Sequence, residues 1–573
     1  MQSSFSRICT TVALCALVTP FGSAAQASSI NIDLSYVDMQ SPAYNRFKGY
    51  VDEAVAGNPD YGFGATDAAY MFRLTGQAQY CALAVQMADS QVSDAESAIA
   101  GGGVPDVAHD SYLYSGEMIM DVALTYDWCA TQVSDSQRSR WGAYAEQTVW
   151  NIWNPEQAQW GGHSAPWSGW SINDPGNNYH YSFLQATMYW GMASNSTAVW
   201  QPFVNNVKLP PLEQYFAALP GGGSLEGTGY GVSQRTLFGL YRMWYDCAGI
   251  DVADASTHLT DTISYWIHAT VPTMDRFAPI GDQSRVSEPW LYDYHRHLML
   301  EARASTTSDS HRDLASWWLN SISIDHMTGS FNYRHDLLPA GSSNTPPTEL
   351  SYHAPGVGVM FARTGWDPGA TWMSFIAGPY TQSHAHQEQG AFTLFGGGDW
   401  LAVTENIWSH SGINSDTSVS NVVRFVHDGE TIPQDSPSTS DMVVTDGDNG
   451  AVHVTADITP AFSGNPNIAS WQRSLDFAGG QLTVSDDYSV SSGTQAIFQI
   501  NVPQRPVISG NTATAGRMKV TVLQPSDATL SVVDWTTVGD DFTTGWRIDV
   551  QGSGGQFVVQ MGFTDDIFTG GFE

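Results

Sequence analysis

The stretch of this chain that is most informative about its fold is GPYTQSHAHQEQGAF, residues 378–392, followed by DWLAV at residues 399–403. If residues 378–392 continue as a strand, His384 and His386 lie on one face, because side chains alternate along a strand. Two imidazoles on one face suit acid–base chemistry or metal binding. A His-x-His pair by itself is more often incidental, so its meaning depends on the surrounding sequence.

Downstream of this stretch, apolar residues recur at every second position. This alternation predicts strands with one buried face at residues 451–455, 482–485 and 557–561. A segment rich in proline, serine and glycine, residues 338–347, predicts a linker. We therefore predict an all-β domain over residues 348–573, most simply an antiparallel β-sandwich, that ends in a short appended tail at 566–573.

Upstream of the linker, apolar residues are spaced three and four positions apart, which predicts amphipathic helices. The clearest runs lie at residues 71–74, 82–87, 118–124 and 237–244. Loops rich in glycine, proline or asparagine separate them, at residues 101–103, 173–178 and 221–223. Successive helix pairs without intervening strands predict an α/α toroid or bundle over residues 28–337, and the whole chain is therefore an α+β multidomain protein.

Residues 1–27 have the pattern of a signal peptide. Arg7 is the only charged residue there, an apolar stretch runs over 8–21, and Ala25-Gln26-Ala27 supplies small residues for cleavage. No later apolar run approaches the roughly 20 residues of a membrane span. The sequence predicts a periplasmic or secreted protein. In such a compartment Cys81 and Cys129 are one possible disulfide pair, with Cys247 as the free cysteine. Other pairings of the three are equally compatible with the sequence.

The net charge of −35 predicts a soluble surface that disfavours nucleic acid. An acidic polymer can still bind a locally basic cleft, because charges are screened beyond about 8 Å at physiological salt. Only three of the 22 basic residues are lysines, which disfavours a densely sulfated ligand more than a carboxylated one. Twenty-one tryptophans suit stacking on sugar rings, and equally suit a helical core.

The stretch at 378–392 resembles the heparinase II/III-like lyase superfamily, in which a glycine–proline strand end leads into His-x-His-x-Asp/Glu-x-Gly-x-Phe. Other segments resemble that superfamily in the same order, namely Tyr126-Asp127-Trp128, Ile280-Gly281-Asp282-Gln283-Ser284 and residues 356–366. The resemblance implies an incomplete (α/α) toroid followed by a β-sandwich, with the active site between them. The implied reaction removes the C5 proton of a uronate in an acidic polysaccharide and expels the 4-O-linked sugar.

Such a β-elimination needs a donor to the substrate carboxylate, a base and an acid. By resemblance, Asn178 is the predicted carboxylate neutraliser and His180 its partner or the base. Tyr230 resembles the tyrosine near the leaving oxygen. To act as a base it needs a nearby cation, because a phenol has a pKa near 10, and the candidates are Arg235, His180 and His384. His384 is the second proton-transfer group or a donor to the substrate carboxylate. The predicted substrate-binding residues are Asn177, Arg235, His386 and Trp167, whereas Glu226 is predicted to support its loop.

Zinc-containing members of the superfamily add an aspartate and a histidine to the second histidine of the motif. His386 matches that histidine, but Thr404 and Ser420 stand at the other two positions. One ligand of three does not make a closed zinc site, so we predict no zinc there and no cofactor.

Two other readings remain open. One is a catalytically silent glycan-binding protein of the same fold, and the other is an (α/α)-toroid glycoside hydrolase, which needs two suitably spaced carboxylates.

Overall fold

The structure is a computed structural model that describes residues 29–194, 199–283, 287–322, 327 and 329–563. The predicted signal peptide and the predicted tail lie outside these residues. Across the described residues, no helix combines the length and the apolar character that a membrane span requires.

The α-helices are all in the first part of the described chain. They are α1 (Pro42–Val55), α2 (Ala65–Thr75), α3 (Ala78–Ala100), α4 (Ser115–Trp128), α5 (Asp135–Trp153), α6 (Asn178–Ala193), α7 (Trp200–Phe203), α8 (Leu209–Ala217), α9 (Gln234–Ala248), α10 (His258–Ala269), α11 (Asp293–Ser305) and α12 (Asp309–Ser321).

Alternate helices form an inner series. Helix α2 packs on α4, α4 on α6, α6 on α9, and α9 on α11, while α3, α5 and α12 pack on the outside of this series. The predicted apolar spacing is the cause, since α9 buries Leu237, Leu240, Tyr241 and Trp244. The disulfide between Cys81 and Cys129 joins α3 to the end of α4, and Cys247 is unpaired. The pairing considered from the sequence is therefore confirmed.

The strands follow, apart from a small hairpin between α5 and α6. They are β1 (Gln159–Trp160), β2 (His163–Ser164), β3 (Ser351–Ala354), β4 (Val359–Arg363), β5 (Trp372–Ile376), β6 (Pro379–Tyr380), β7 (Phe392–Gly396), β8 (Asp399–Ala402), β9 (Val423–His427), β10 (Glu430–Thr431), β11 (Ser438–Thr439), β12 (Asp441–Asp446), β13 (Val452–Asp457), β14 (Ile468–Ala478), β15 (Gln481–Val490), β16 (Thr494–Val502), β17 (Val507–Ser509), β18 (Thr512–Ala515), β19 (Met518–Gln524), β20 (Thr529–Asp534), β21 (Trp546–Gln551) and β22 (Gln556–Phe563).

The larger sheets are antiparallel. One has the order β3-β4-β5-β7-β8, a second β10-β9-β16-β21-β20, and a third, of eight strands, β12-β13-β14-β15-β22-β19-β18-β17. The alternating burial of β13 confirms its predicted period of two. Strands β4, β5 and β7 are instead buried at every residue. One face of their sheet packs against the helices through Phe361 and Trp372, and the other joins the core of the later strands through Met360 and Met373.

This doubly buried sheet places the motif at 378–392 beside the helices. The motif follows β5, which packs on the helical core, and the chain then returns as β7. The region between the last helical turn, His335–Leu337, and β3 has neither helix nor strand, in the place where the linker was predicted. The predicted domain limits themselves remain a prediction.

Candidate active site

Three loops meet where the helical region contacts the sheet of β3–β8. They are residues 224–230 before α9, residues 280–283 after α10, and residues 384–388 between β6 and β7. Backbone hydrogen bonds join them: the amide of Thr228 donates to the oxygen of Ile280 at 2.9 Å, and the amide of Asp282 donates to the oxygen of His384 at 2.9 Å. The amide of Gly281 donates to a carboxylate oxygen of Glu388 at 2.9 Å.

Glycine allows this close approach. A Cβ atom at Gly229 would lie 1.9 Å from the carbonyl oxygen of Asp282, which is backbone and cannot move aside alone. Gly281 has a φ of +67°, and a Cβ there would lie 2.6 Å from the carbonyl oxygen of His384. The glycines therefore let the middle loop pack between the other two.

The carboxylate of Asp282 lies between the two histidines of the motif. Its Oδ2 is 2.8 Å from Nδ1 of His384, and its Oδ1 is 2.5 Å from Nε2 of His386. Burial alone would raise the pKa of Asp282, but hydrogen bonds from both imidazoles hold that pKa below its usual value. An ionised Asp282 accepts the Nδ1 proton of His384 and leaves Nε2 of that ring as the group able to take another proton.

The prediction that the histidines share the face of a strand is wrong. Residues 381–391 contain neither helix nor strand, and β6 ends at Tyr380. The two rings converge because both contact Asp282, which precedes them in the sequence by about a hundred residues. His386 is buried, whereas His384 is partly exposed, so only His384 is open to a substrate.

Tyr230 stacks on His384, with ring centroids 3.6 Å apart and an interplanar angle of 6°. The structure therefore brings together these two predicted catalytic residues, from the helical region and from the sheet region. Burial raises the pKa of Tyr230, and the charges of Asp282 and Glu226 raise it further. The condition for Tyr230 to act as a base, a cation that lowers its pKa, is therefore not met, and the phenol is protonated at neutral pH.

Arg235, a cation predicted to act on Tyr230, is in α9, and its side chain lies near α11. Its guanidinium donates to the backbone oxygen of Val232 at 3.2 Å and sits 5.6 Å from the ring centroid of Tyr294. It also lines a cavity of about 580 Å³ among the inner helices.

The start of α6 contains the two predicted asparagines. Asn177 is buried and caps the helix, because its side-chain oxygen accepts from the amide of Tyr179 at 3.1 Å. Its side-chain nitrogen donates to Glu226 at 2.9 Å, which fits the predicted supporting role of Glu226. Asn178 is partly exposed, and its side-chain oxygen is buried without a hydrogen-bond partner among the described residues. Asn178 is thus the asparagine that is able to meet a ligand.

Glu226 is fully buried, and burial raises its pKa to about 8, with a further increase from the charge of Asp174. At neutral pH this side chain is mostly protonated. One of its oxygens has no partner among the residues that the structure describes.

His180 and Trp167 face the helical core. His180 is 2% exposed, its Nδ1 lies 3.1 Å from the backbone oxygen of Ser171, and its ring meets Trp153 edge to face. Burial, and then the charge of Lys208, lower the pKa of His180 to about 4, so that the ring is neutral. The indole of Trp167 donates to the backbone oxygen of Asn151 at 3.0 Å and packs on Tyr112. No described contact joins either side chain to Tyr230 or His384.

Three residues near the site were not among the predicted site residues. Asp282 was quoted only as part of a loop motif. The hydroxyl of Tyr179 donates to Asp110 at 3.0 Å, and the charge of Asp110 acts in turn on the pKa of Tyr230. Asp110, Ser111 and Tyr112 have φ angles of +45°, +52° and +65°, a left-handed run that non-glycine residues rarely adopt. Of Asp282, Tyr179 and Asp110, only Asp282 lies in a segment that the sequence analysis singled out.

The positions compared with a zinc site hold no metal cluster. His386 contacts Asp282, while Thr404 donates its hydroxyl to the backbone oxygen of Val419 at 3.0 Å. Thr404 and Ser420 line a pocket of about 10 Å³, which is about the smallest that can hold one water molecule. In the described chain, the single group of three metal-ligating side chains close enough to share an ion lies elsewhere, in the helical cavity.

The fold agrees with that of solved polysaccharide lyase structures. A heparan sulfate lyase from Pedobacter heparinus superposes with a TM-score of 0.58 at 14% identity, over 94% of this chain and 86% of that chain. A heparinase III structure gives 0.59 at 11% identity, over 94% and 87%, and a heparinase III with methylated lysines gives 0.58 at 13%, over 95% and 87%. No protein-family model and no curated protein sequence matches the chain. The predicted resemblance to heparinase-like lyases is confirmed as a likeness of fold.

Proposed function

We propose that this protein is a secreted polysaccharide lyase that cleaves a uronate-containing acidic polysaccharide by β-elimination. The observation that carries the proposal is the stack of Tyr230 on His384, with Asp282 behind the imidazole, at the contact between the helical region and the sheet region. In this proposal the helical region is an incomplete (α/α) toroid and the sheet region is a β-sandwich domain. The likeness of fold to heparinase III supports the same reaction class.

The proposed base is His384. Because Asp282 accepts its Nδ1 proton, the lone pair of Nε2 is available for the C5 proton of the uronate. The negative charge of Asp282 then stabilises the imidazolium that forms. An aspartate that orients a histidine in this way is a positioning residue, and it fixes the tautomer that the reaction needs.

The proposed acid is Tyr230. Its raised pKa keeps the phenol protonated, which suits donation to the 4-O leaving group and does not suit proton abstraction. The face-to-face contact of 3.6 Å places the acid beside the base, so both groups can reach one sugar linkage. After elimination, the His384 imidazolium loses its proton to solvent and Tyr230 regains one.

Asn178 is the proposed neutraliser of the substrate carboxylate. It lies in the first turn of α6, where backbone amides and the helix dipole also favour an anion. Asn177 and Glu226 hold this turn in place from behind. His180, which was predicted as base or partner, would act through packing of the helix start, because it is buried against Trp153.

The proposed substrate carries carboxylates in preference to dense sulfate. The chain has few cations, and Lys208 is largely buried, with its ammonium donating to the backbone oxygen of Ile172 at 3.0 Å. A glycoside hydrolase is disfavoured, because Asp282 is bound by two histidines and Glu226 is fully buried, which leaves neither carboxylate beside Tyr230 free for hydrolysis.

The test is a screen of carboxylated polymers, namely alginate, glucuronan, hyaluronan, chondroitin and heparosan, in water enriched with ¹⁸O. We expect at least one polymer to give an ultraviolet-absorbing unsaturated uronate, with no solvent oxygen at the cleaved bond. Incorporated ¹⁸O without the double bond would identify a hydrolase, and binding of a polymer without cleavage would identify a silent glycan-binding protein.

A matched pair of variants assigns any activity to this site. His384→Gln removes the proposed base, and we expect kcat to fall by about 10²–10⁴-fold. The control is His453→Gln, because His453 forms a similar contact with Asp476, at 2.7 Å, on the exposed surface of β13 and β14. Equal loss of activity in both variants would contradict the assignment.

Export through the predicted signal peptide is part of the proposal. Cleavage after Ala27 predicts a mature chain that begins at Ser28, which N-terminal sequencing of the protein secreted from its own host would check.

A further inference from the structure

Inside the helical region, away from Tyr230 and His384, two histidines and a glutamate meet on the wall of the cavity of about 580 Å³. His297 and Glu301 are four residues apart on α11 and therefore lie on the same face of that helix. His335 reaches them from the short helical turn His335–Leu337. The proposed reaction uses none of these side chains.

The spacing of the three side chains resembles that of ligands around a shared ion. Oε1 of Glu301 lies 3.6 Å from Nε2 of His297 and 3.8 Å from Nδ1 of His335. Both distances exceed the range of a hydrogen bond. Donor atoms at about 2.0–2.1 Å from a tetrahedral zinc ion are roughly 3.3 Å apart, so a small inward movement would complete such a site. All three donor atoms lie within 4.8 Å of one another.

The ligand types also suit a cation. Two imidazoles with one carboxylate form a ligand set that zinc uses when further coordination positions stay open.

Arg242 and Arg334 are opposing charges at this cluster, and Nη2 of Arg334 lies 3.5 Å from Nε2 of His335. The guanidinium of Arg242 donates to Oε2 of Glu301 at 2.9 Å and to Oε1 at 3.1 Å. Oε1 is also the oxygen that lies nearest the two histidines. A hydrogen-bonded partner behind a ligating carboxylate is common in metal sites, since it fixes the orientation of the ligand. The described lining of the cavity also carries more acids than arginines. The acids are Asp67, Glu117, Asp121, Asp293 and Glu301, and the arginines are Arg235, Arg242 and Arg334.

We infer that His297, Glu301 and His335 form a binding site for a divalent transition-metal ion, zinc by ligand type, with its open coordination positions facing the cavity of the helical region. This site is separate from the one that the sequence excludes at His386, and it does not depend on the proposed lyase activity. The stacked rings of His297 and His335, with centroids 3.3 Å apart, place two of its ligands side by side.

The test uses the full chain without a histidine tag, stripped with a chelator and titrated with Zn²⁺ by calorimetry. We expect one ion per chain in the wild type and an affinity at least about 100-fold weaker in His335→Gln, which removes a ligand but keeps the Arg242–Glu301 pair. His163→Gln, at an exposed histidine in β2, is the matched control and should bind as the wild type does. His297→Gln provides a second ligand variant, and circular dichroism checks the folding of each protein.

Co²⁺ in place of Zn²⁺ gives a second readout, because its visible absorption reports on the ligands. The wild type should show a d–d band that His335→Gln lacks and His163→Gln retains. Absence of stoichiometric binding in the wild type would overturn the inference, whether or not the variants fold. Equal affinities in the wild type and in folded His335→Gln would overturn it as well.

Discussion

Tyr230 offers a test in which the chemistry of one side chain is separated from its packing. Tyr230→Phe removes the hydroxyl but keeps the ring that stacks on His384. If the phenol is the acid, kcat should fall by about 10²–10⁴-fold, the usual contribution of general acid–base catalysis, while substrate binding changes little. The measurement is steady-state kinetics with circular dichroism as the folding check. Turnover within a few-fold of the wild type would remove Tyr230 from the mechanism.

Glu226 predicts a pH dependence of stability. Its pKa is about 4.5 when unfolded and about 8 when folded, so between these values the folded state holds a proton that the unfolded state has lost. The stability from this group is fully present below pH 4.5 and falls as pH rises toward 8, by roughly 1.4 kcal/mol per pH unit. Glu226→Gln keeps an oxygen for Asn177 and should lose this dependence.

The measurement for Glu226 is the free energy of unfolding by denaturant at pH 5 and at pH 8. Relative to the wild type, the free energy of unfolding of Glu226→Gln should be higher at pH 8 than at pH 5. Glu53→Gln, at an exposed carboxyl, is the control and should show no such shift. A pH-independent difference for Glu226→Gln would show that Glu226 is ionised in the folded protein.

Single residues differ in how far the sequence could predict their roles. Tyr230 and His384 were predicted by family resemblance, and the structure brings them into contact. Asp282 was not assigned a role, because its contacts with His384 and His386 span about a hundred residues and depend on how two regions pack. The raised pKa of Tyr230 could not be predicted for the same reason, because Asp282 and Glu226 are brought near the phenol by tertiary packing.

At the scale of elements, the spacing of apolar residues predicted the helices and strands correctly. The prediction that residues 378–392 continue as a strand was wrong. The predicted helical runs lie in α2, α3, α4 and α9, and the predicted strands lie in β13, β15 and β22. Most of the motif at 378–392 forms a loop, whose backbone hydrogen bonds go to separate segments, including Asp282 and Ser415, instead of to one neighbouring strand. The burial of the central strands of the five-strand sheet on both faces was also not predicted. Apolar residues occupy most positions of β4 and β5, so the sequence has no alternation that would identify two separate faces.

The loop junction gives a prediction about elements. Gly229→Ala places a methyl group where the backbone of Asp282 lies, so the 224–230 and 280–283 loops must separate. Overpacking of this kind costs about 1–3 kcal/mol, and displacement of Asp282 should also lower kcat. The measurements are denaturant unfolding and turnover. Gly49→Ala is the matched control, because it lies within α1 with no atom near its Cβ, and alanine should stabilise that helix by up to about 1 kcal/mol.

At the scale of the whole molecule, the helical and sheet regions share one core. Phe361 and Trp372 belong to the apolar cluster of the helices, and the indole of Trp372 donates to the backbone oxygen of His268 at 2.8 Å. Arg363 of β4 is fully buried and donates to the backbone oxygens of His268 and Thr270, at 3.0 and 2.7 Å. Both hydrogen bonds come from Nη2 of Arg363, and this buried nitrogen would lose both partners if the regions separated.

This shared core predicts that the two regions unfold together. Calorimetry should give one transition, and a change deep among the later strands should lower the temperature at which the helices melt. Trp471→Ala is such a change, because Trp471 is fully buried in the core of the sheets, and truncation of a buried tryptophan costs about 3–5 kcal/mol. The measurement is helical ellipticity against temperature in the wild type and in Trp471→Ala, with Val443→Ala, at an exposed position of β12, as the control. Helices that melt at the wild-type temperature in Trp471→Ala would show that the regions are thermodynamically independent, and the contact of Tyr230 with His384 would then join two separately stable bodies.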